Sequence, residues 1–244
     1  MTLNLAHGRG DNFHQLLISN AQIKTNLDNI IKISQREAPH VLAVQEADIS
    51  AYWSGHFNQI EYLATHSGLV NTVQGKHVDG LALNYGTSIL SRLQLYNSKS
   101  HTFTAISPFT FPKGFVISTV KWPGKPDIEV DIISVHLDFM LDNTRHHQAK
   151  EMVTYIRESN RPLILMGDFN DDWHQEESVI TYLTDTLGLK AYQPESEAFI
   201  SHPDSNKRLD WILISNELDF VSFNVLPDVL SDHRAVIAEL KLVN

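Results

Sequence analysis

Leu163-Ile164-Leu165-Met166-Gly167-Asp168-Phe169-Asn170 is the stretch that most constrains this chain. Four consecutive apolar residues describe a strand buried on both faces, and Pro162 stands where such a strand begins without wasting a donor. Gly167 breaks the run, and an acid and an amide follow. A carboxylate at the end of a buried strand is costly unless its charge is compensated. A metal ion, or a water activated there, would do so; the bland alternative is a turn capping the next helix. Asp168 and Asn170 are two apart, so on an extended segment both side chains would point into one cleft.

The pattern helix, proline, buried strand, carboxylate occurs twice. Ile23, Leu27, Ile30 and Ile31 repeat at helical spacing before Pro39, and Val41–Val44 runs into Gln45-Glu46. Ala149, Met152, Val153 and Ile156 repeat likewise before Pro162 and the opening strand. Thr2–Ala6 reads as a short strand, followed by a loop at His7-Gly8-Arg9-Gly10-Asp11-Asn12. Trp53, Phe57, Ile60, Leu63 and Ala64 predict another helix. Residues 81–91 read as a strand with Gly86 as a bulge or close approach. Residues 115–122 and 128–137 read as a hairpin around Pro123-Gly124. Residues 94–114, with Phe103, Phe109 and Phe111, read as irregular, either core or a rim to a site. A helix through Ile180, Leu183 and Leu187 follows, then strands at 209–214, 220–226 and 235–242. Many strands with few helices argue for a layered α/β sandwich rather than a doubly wound sheet.

The length of 244 residues fits a single domain over 1–244. No apolar run is long enough to span a bilayer, so no transmembrane segment is expected. The start, Met1-Thr2-Leu3-Asn4, shows no secretory signal, and a cytoplasmic monomer is expected. There are no cysteines, which removes thiol catalysis, cysteine zinc sites and disulfides. The net charge of −10 and the lack of any Lys/Arg run weigh against a salt-steered duplex binder, although nucleic acid stays among the candidate substrates.

Polar residues stand where strands are expected to end: Asn4, Glu46, His136, Asp168, Asn170, Asp210, Asp232 and His233. Each alone has a plainer reading. Glu46 could cap a helix, Asp210 could pair with Arg208, and Asp232-His233 could be a turn. Arg145 and Gln148 could be a solvated helix face. Together, the acids and amides supply hard oxygen ligands suited to Mg²⁺ or Mn²⁺, and the histidines supply proton transfer. No nucleophile elbow, His-Glu-x-x-His or phosphate-binding Gly-rich loop with Lys is present. Hard metal, His and carboxylate point to hydrolysis of a phosphate ester.

In this order, Asn4, Gln45-Glu46, Gly86 with Ser91-Arg92, His136, Gly167-Asp168-Phe169-Asn170, Asp210 and Ser231-Asp232-His233 resemble the endonuclease/exonuclease/phosphatase (DNase I-like) superfamily. The resemblance implies a four-layered α/β/β/α sandwich, two packed mixed sheets flanked by helices, with the site at one end. It implies a Mg²⁺-dependent phosphoesterase, a nuclease-type phosphodiesterase before a phosphatase or an enzyme acting on a phospholipid or small ester. A non-catalytic binding protein on the same scaffold is the remote alternative. Glu46, Asn4 and Asp232 would lie at the metal. His136, Asp168, Asn170, Asp210 and His233 would be catalytic, with Asp210 fixing the tautomer of His233. Arg9 is a candidate substrate contact. Ala6 stands where some abasic-site endonucleases carry an acid, which removes one accessory metal contact.

Overall fold

The structure is a computed structural model and describes residues 1–106 and 110–243. Phe109, expected in the irregular region, lies outside the described residues.

Strand β1 (Thr2–Asn4) leads through a 3₁₀ turn, Ala6–Gly8, to helix α1 (Asn20–Glu37) and strand β2 (Val41–Ala51). Ser19 caps α1 by accepting the Gln22 N–H. The helix ends at Ala38, in a left-handed conformation with φ 49°, because Pro39 cannot continue it. Helix α2 (Gln59–Ser67) and strands β3 (Asn71–Gln74), β4 (Val78–Asp79), β5 (Leu83–Ser91) and β6 (Tyr96–Thr102) follow. The hairpin is β7 (Gly114–Trp122) and β8 (Lys125–His136). Next come α3 (Asp142–Ile156), β9 (Leu163–Asp168), α4 (Val179–Leu187), β10 (Lys190–Ala191), β11 (Asp210–Ile214), β12 (Leu218–Val225) and β13 (Val236–Leu242).

The strands form two mixed sheets. One has the order β12-β13-β1-β2-β5-β3, with β4 also on β5; the other is β10-β11-β9-β8-β7-β6. The parallel pairs are β1·β2 and β8·β9, and α1 and α3 are their crossovers. The repeated helix–proline–strand pattern is thus one crossover unit in each sheet. Ala43, Ile89 and Val236 of the first sheet pack on Val116, Ile132, Met166 and Ile212 of the second. Ile23, Leu27, Ile30 and Leu63 of α1 and α2 cover the outer face of the first sheet. Met152, Val153, Ile180 and Leu183 of α3 and α4 cover the second. These are the four layers α/β/β/α. Polar ties cross the sheet interface: the Gln45 amide donates to Thr2 Oγ1 on its own sheet (3.2 Å) and to Ser134 Oγ on the other (3.1 Å), and Ser134 Oγ donates to the Val44 carbonyl (3.3 Å).

Several expectations are corrected. Trp53 and Phe57 are not part of α2: Trp53 lies in a separate 3₁₀ turn, Tyr52–Ser54, and Asn58 caps α2 only after Phe57, accepting the Ile60 and Glu61 N–H groups. β2 does not end at Glu46 and Glu46 caps no helix; the strand bulges there and runs on to Ala51. Residues 96–102 are strand β6, an edge whose mostly exposed side chains leave no apolar alternation to read. Arg145 and Gln148 are buried rather than solvated: they grip the Asp138 backbone after β8, Arg145 at its carbonyl and Gln148 at its N–H.

Gly167 lies where β9 runs beside β8. A Cβ there would sit 2.0 Å from the Val135 carbonyl oxygen, and φ is +150°. Gly124 also has positive φ, +81°, but faces open space. Gly167→Ala is therefore expected to cost about 3 kcal/mol or more in urea denaturation, and Gly124→Ala about 1 kcal/mol.

Candidate active site

Sheet register builds the site. On adjacent strands β8, β9 and β11, His136 pairs with Asp168 and Asp168 pairs with Asp210, so the three residues form one row. From the other sheet, Asn4 stands beside Gln45 across β1 and β2, and Glu46 follows in the bulge. Both sheets therefore deliver polar side chains to the same end of the sandwich.

Asp168 is buried. Its Oδ2 accepts from Asn4 Nδ2 at 2.9 Å and lies 3.5 Å from His136 Nε2 and 3.7 Å from His233 Nε2. Its Oδ1 accepts the Asn170 N–H at 2.9 Å. Asn170 is not extended: φ is +51°, and its side-chain amide donates to the Leu137 carbonyl at 3.0 Å. The loop curls back onto the carboxylate, which fixes the acid instead of aligning two side chains along a strand. His233 Nδ1 is 2.8 Å from Asp210 Oδ2. Asp210 does not pair with Arg208, whose guanidinium lies 3.8 Å over the Trp211 ring and donates to the Tyr192 carbonyl. Ser231 Oγ donates to the Asn4 carbonyl and accepts the His233 N–H, tying β1 to the His233 turn.

Glu46 faces a second group of residues. Its Oε1 is 3.5 Å from Lys113 Nζ and 4.0 Å from His136 Nε2, and its Oε2 is 3.7 Å from His7 Nε2. His7 Nδ1 is 2.7 Å from Asp48 Oδ1. Arg9 pairs with Asp232, so both residues reach the rim, on the side of His233 and His202 rather than in contact with Glu46.

The electrostatics follow from this packing. Burial opposes charging His233, but Asp210 and Asp168 outweigh it and raise its pKa to about 10. Burial raises Asp168 to about 6, against the His233 charge, with Asp210 adding repulsion. Burial also opposes ionising Glu46, yet Lys113, His7, His136 and His233 hold it well below the usual carboxylate range. Burial and Lys113 push His136 well down, so it is neutral. For His7, burial works against the charge, but the Asp48 hydrogen bond and Glu46 raise its pKa.

The donor set fits a divalent ion. The Asn4 Oδ1 accepts only the Ala6 N–H among the hydrogen bonds described, and Asp210 Oδ1 and Asp232 Oδ1 are buried without a hydrogen-bond partner. Ligand atoms of Asp168, Asp210 and His233 lie within 4.8 Å of one another, as do those of His202, Asp232 and His233. The two carboxylates of the first set suit a hard cation, while the second offers two imidazoles and one carboxylate.

The profile of the Endonuclease/Exonuclease/phosphatase family matches residues 1–233. The chain belongs to this family. Its members are divalent-metal-dependent phosphoester hydrolases. No curated protein matches by sequence. Among solved structures, an endonuclease/exonuclease/phosphatase from Beutenbergia cavernae is similar at TM-score 0.78 and 17% identity, covering 99% of this chain and 70% of that one. The human nocturnin catalytic domain with bound sulfate matches at 0.71 and 19%, covering 90% and 87%. A Bacteroides thetaiotaomicron mannosyl-6-phosphatase matches at 0.70 and 16%, covering 99% and 98%. At these identities the likeness is one of fold, and it matches the four-layered sandwich. No helix among the described residues is long and apolar enough to cross a membrane.

Sequence reasoning missed His7, Asp48, Lys113 and His202. Only Asp48, two residues beyond Glu46 on the same strand, carried a local signal; the others arrive through tertiary packing.

A raised pKa on His233 stabilises the fold fully below the ordinary His value near 6.5, and that contribution is lost as pH climbs toward about 10. In EDTA, the melting temperature of the wild type is expected to fall from pH 7 to pH 10. Asp210→Asn should start lower and show a flatter profile by differential scanning calorimetry.

Proposed function

We propose that the site hydrolyses a phosphate ester, foremost a phosphodiester, with a divalent ion, Mg²⁺ or Mn²⁺, held by Glu46 and Asn4 and approached by Asp232. The observation that carries this reading is the convergence of Asp168 Oδ2 with His136 Nε2 and His233 Nε2 within 3.5 and 3.7 Å. When bound, the ion supplies Lewis acidity at a phosphoryl oxygen.

The chain's own residues do the rest. Asp168, with a pKa near 6, is ionised above that pH and can accept a proton from the attacking water. Asn4 and the Asn170 N–H fix its two oxygens, so its direction is set before substrate arrives. His233, charged at neutral pH and anchored by Asp210, presents Nε2 to a phosphoryl oxygen. Neutral His136 lies between Glu46 and Asp168 with its Nε2 3.0 Å from Lys113 Nζ, which places the ring and that amine together beside the developing phosphorane charge. Arg9, held by Asp232, is a substrate contact at the rim.

A small phosphate monoester is the second reading. It is supported by Lys113, an additional buried cation beside Glu46 and His136, and by the net charge of −10, which disfavours long polyanions. The mannosyl-6-phosphatase neighbour is in keeping with it.

Turnover of bis-p-nitrophenyl phosphate with Mg²⁺ or Mn²⁺ is expected, abolished by EDTA. Asp168→Ala and His233→Ala should each lower kcat by about 10³-fold or more. Faster turnover of p-nitrophenyl phosphate would select the monoester reading. Retained activity in both variants would overturn the site assignment.

A further inference from the structure

Glu46 has a neighbour that the reaction above leaves unused. His7 sits in the 3₁₀ turn after β1 with φ 58°, a backbone state uncommon for a residue with a side chain. Its ring is buried and held edge-on by Trp53, at 5.2 Å between centroids, and by Tyr85, at 4.8 Å. Nδ1 lies 2.7 Å from Asp48 Oδ1. Asp48 is itself fixed: its Oδ2 accepts from Trp53 Nε1 at 2.7 Å and from Gln59 Nε2 at 3.3 Å, and its N–H donates to Gln59 Oε1. The Gln59 amide also donates to the His7 carbonyl at 2.8 Å, so ring, carboxylate and backbone form one locked unit.

An ionised Asp48 can only accept, so Nδ1 of His7 carries the hydrogen. Nε2 is the atom that coordinates once an ion displaces the proton that Asp48 and Glu46 favour there, and it faces Glu46 Oε2 at 3.7 Å. Two ligand atoms each bound at about 2.1 Å to one first-row ion at right angles lie about 3 Å apart. The gap is therefore within a sub-ångström side-chain adjustment of a shared ion. A histidine whose far nitrogen donates to a buried carboxylate is the arrangement that orients a metal-binding imidazole.

We infer that His7 is a nitrogen ligand to the divalent ion at Glu46, buttressed by Asp48. The site is then a mixed nitrogen–oxygen one, and it favours Mn²⁺ or another first-row transition ion over Mg²⁺. This rests on Glu46 being a metal ligand in the proposed function.

Pulsed electron paramagnetic resonance of Mn²⁺ bound to the full chain tests it. Directly bound histidine nitrogen is expected in the wild type, identified by its change on ¹⁵N-histidine labelling. The signal should persist in His136→Asn and vanish in His7→Asn. Calorimetric titration should show the Mn²⁺ Kd raised about tenfold or more in His7→Asn and Asp48→Asn, and the Mg²⁺ Kd changed less than about threefold. Mn²⁺ bound at the site without histidine nitrogen coupling in the wild type overturns the inference and leaves the proposed function standing. Coupling unchanged in His7→Asn does the same. No Mn²⁺ or Mg²⁺ binding at all would remove both. The labelling experiment needs no variant, so a misfolded substitution does not blunt the test.

Discussion

Asp168 is a carboxylate with almost no contact with water, and its surroundings are arranged around that charge. An isolated ionised acid in such a place would neutralise itself by taking a proton. Here the charged His233, the Asn4 amide and the Asn170 N–H share the load, and the pKa settles near 6 rather than far higher. Asp210 makes the arrangement work at a distance, because it fixes the charged His233 that faces Asp168. Removing one member changes what the others must balance, so these groups act as a unit and their contributions will not add.

The sequence reveals the parts of this structure that depend on burial and hides those that depend on edges and bulges. Leu163–Met166 and Val41–Val44 are legible as strands because both faces are covered and the apolar run is unbroken. β6 is not legible, since an exposed edge strand need not alternate. The continuation of β2 past Glu46 was hidden by polar residues, buried for the sake of the site rather than the core. Asp168, Asp210, His136 and His233 were legible as candidates because strand ends bring chemistry together. His7 and Lys113 were not, as a lone His in a Gly-containing loop and a lone Lys before a strand say nothing until the sheets are assembled. Arg145 and Gln148 show the limit of helical periodicity: a polar face can be buried when it holds a neighbouring loop.

Four of the ten non-glycine residues with positive φ among the described residues stand at the site: Ala6, His7, Glu46 and Asn170. Each such residue costs on the order of 1–3 kcal/mol, and a fold keeps it only when neighbours over-determine the position. At Glu46 the bulge turns the carboxylate out of the alternation that Gln45 follows. Gln45 is then free to point between the sheets while Glu46 points into the cleft.

The polar tie made by Gln45 bears on how this cleft keeps its dimensions. Glu46 and Asn4 ride on one sheet, while His136, Asp168 and Asp210 ride on the other. Apolar faces can slip past each other with little directional penalty, and a slip of one residue, about 3.3 Å, would separate the two halves of the cleft. The Gln45 amide, gripping Thr2 on its own sheet and Ser134 on the opposite one, has a narrow range of acceptable lengths and angles. It works as an alignment pin, together with the Ser134–Val44 and Asn4–Asp168 hydrogen bonds that join the same two sheets.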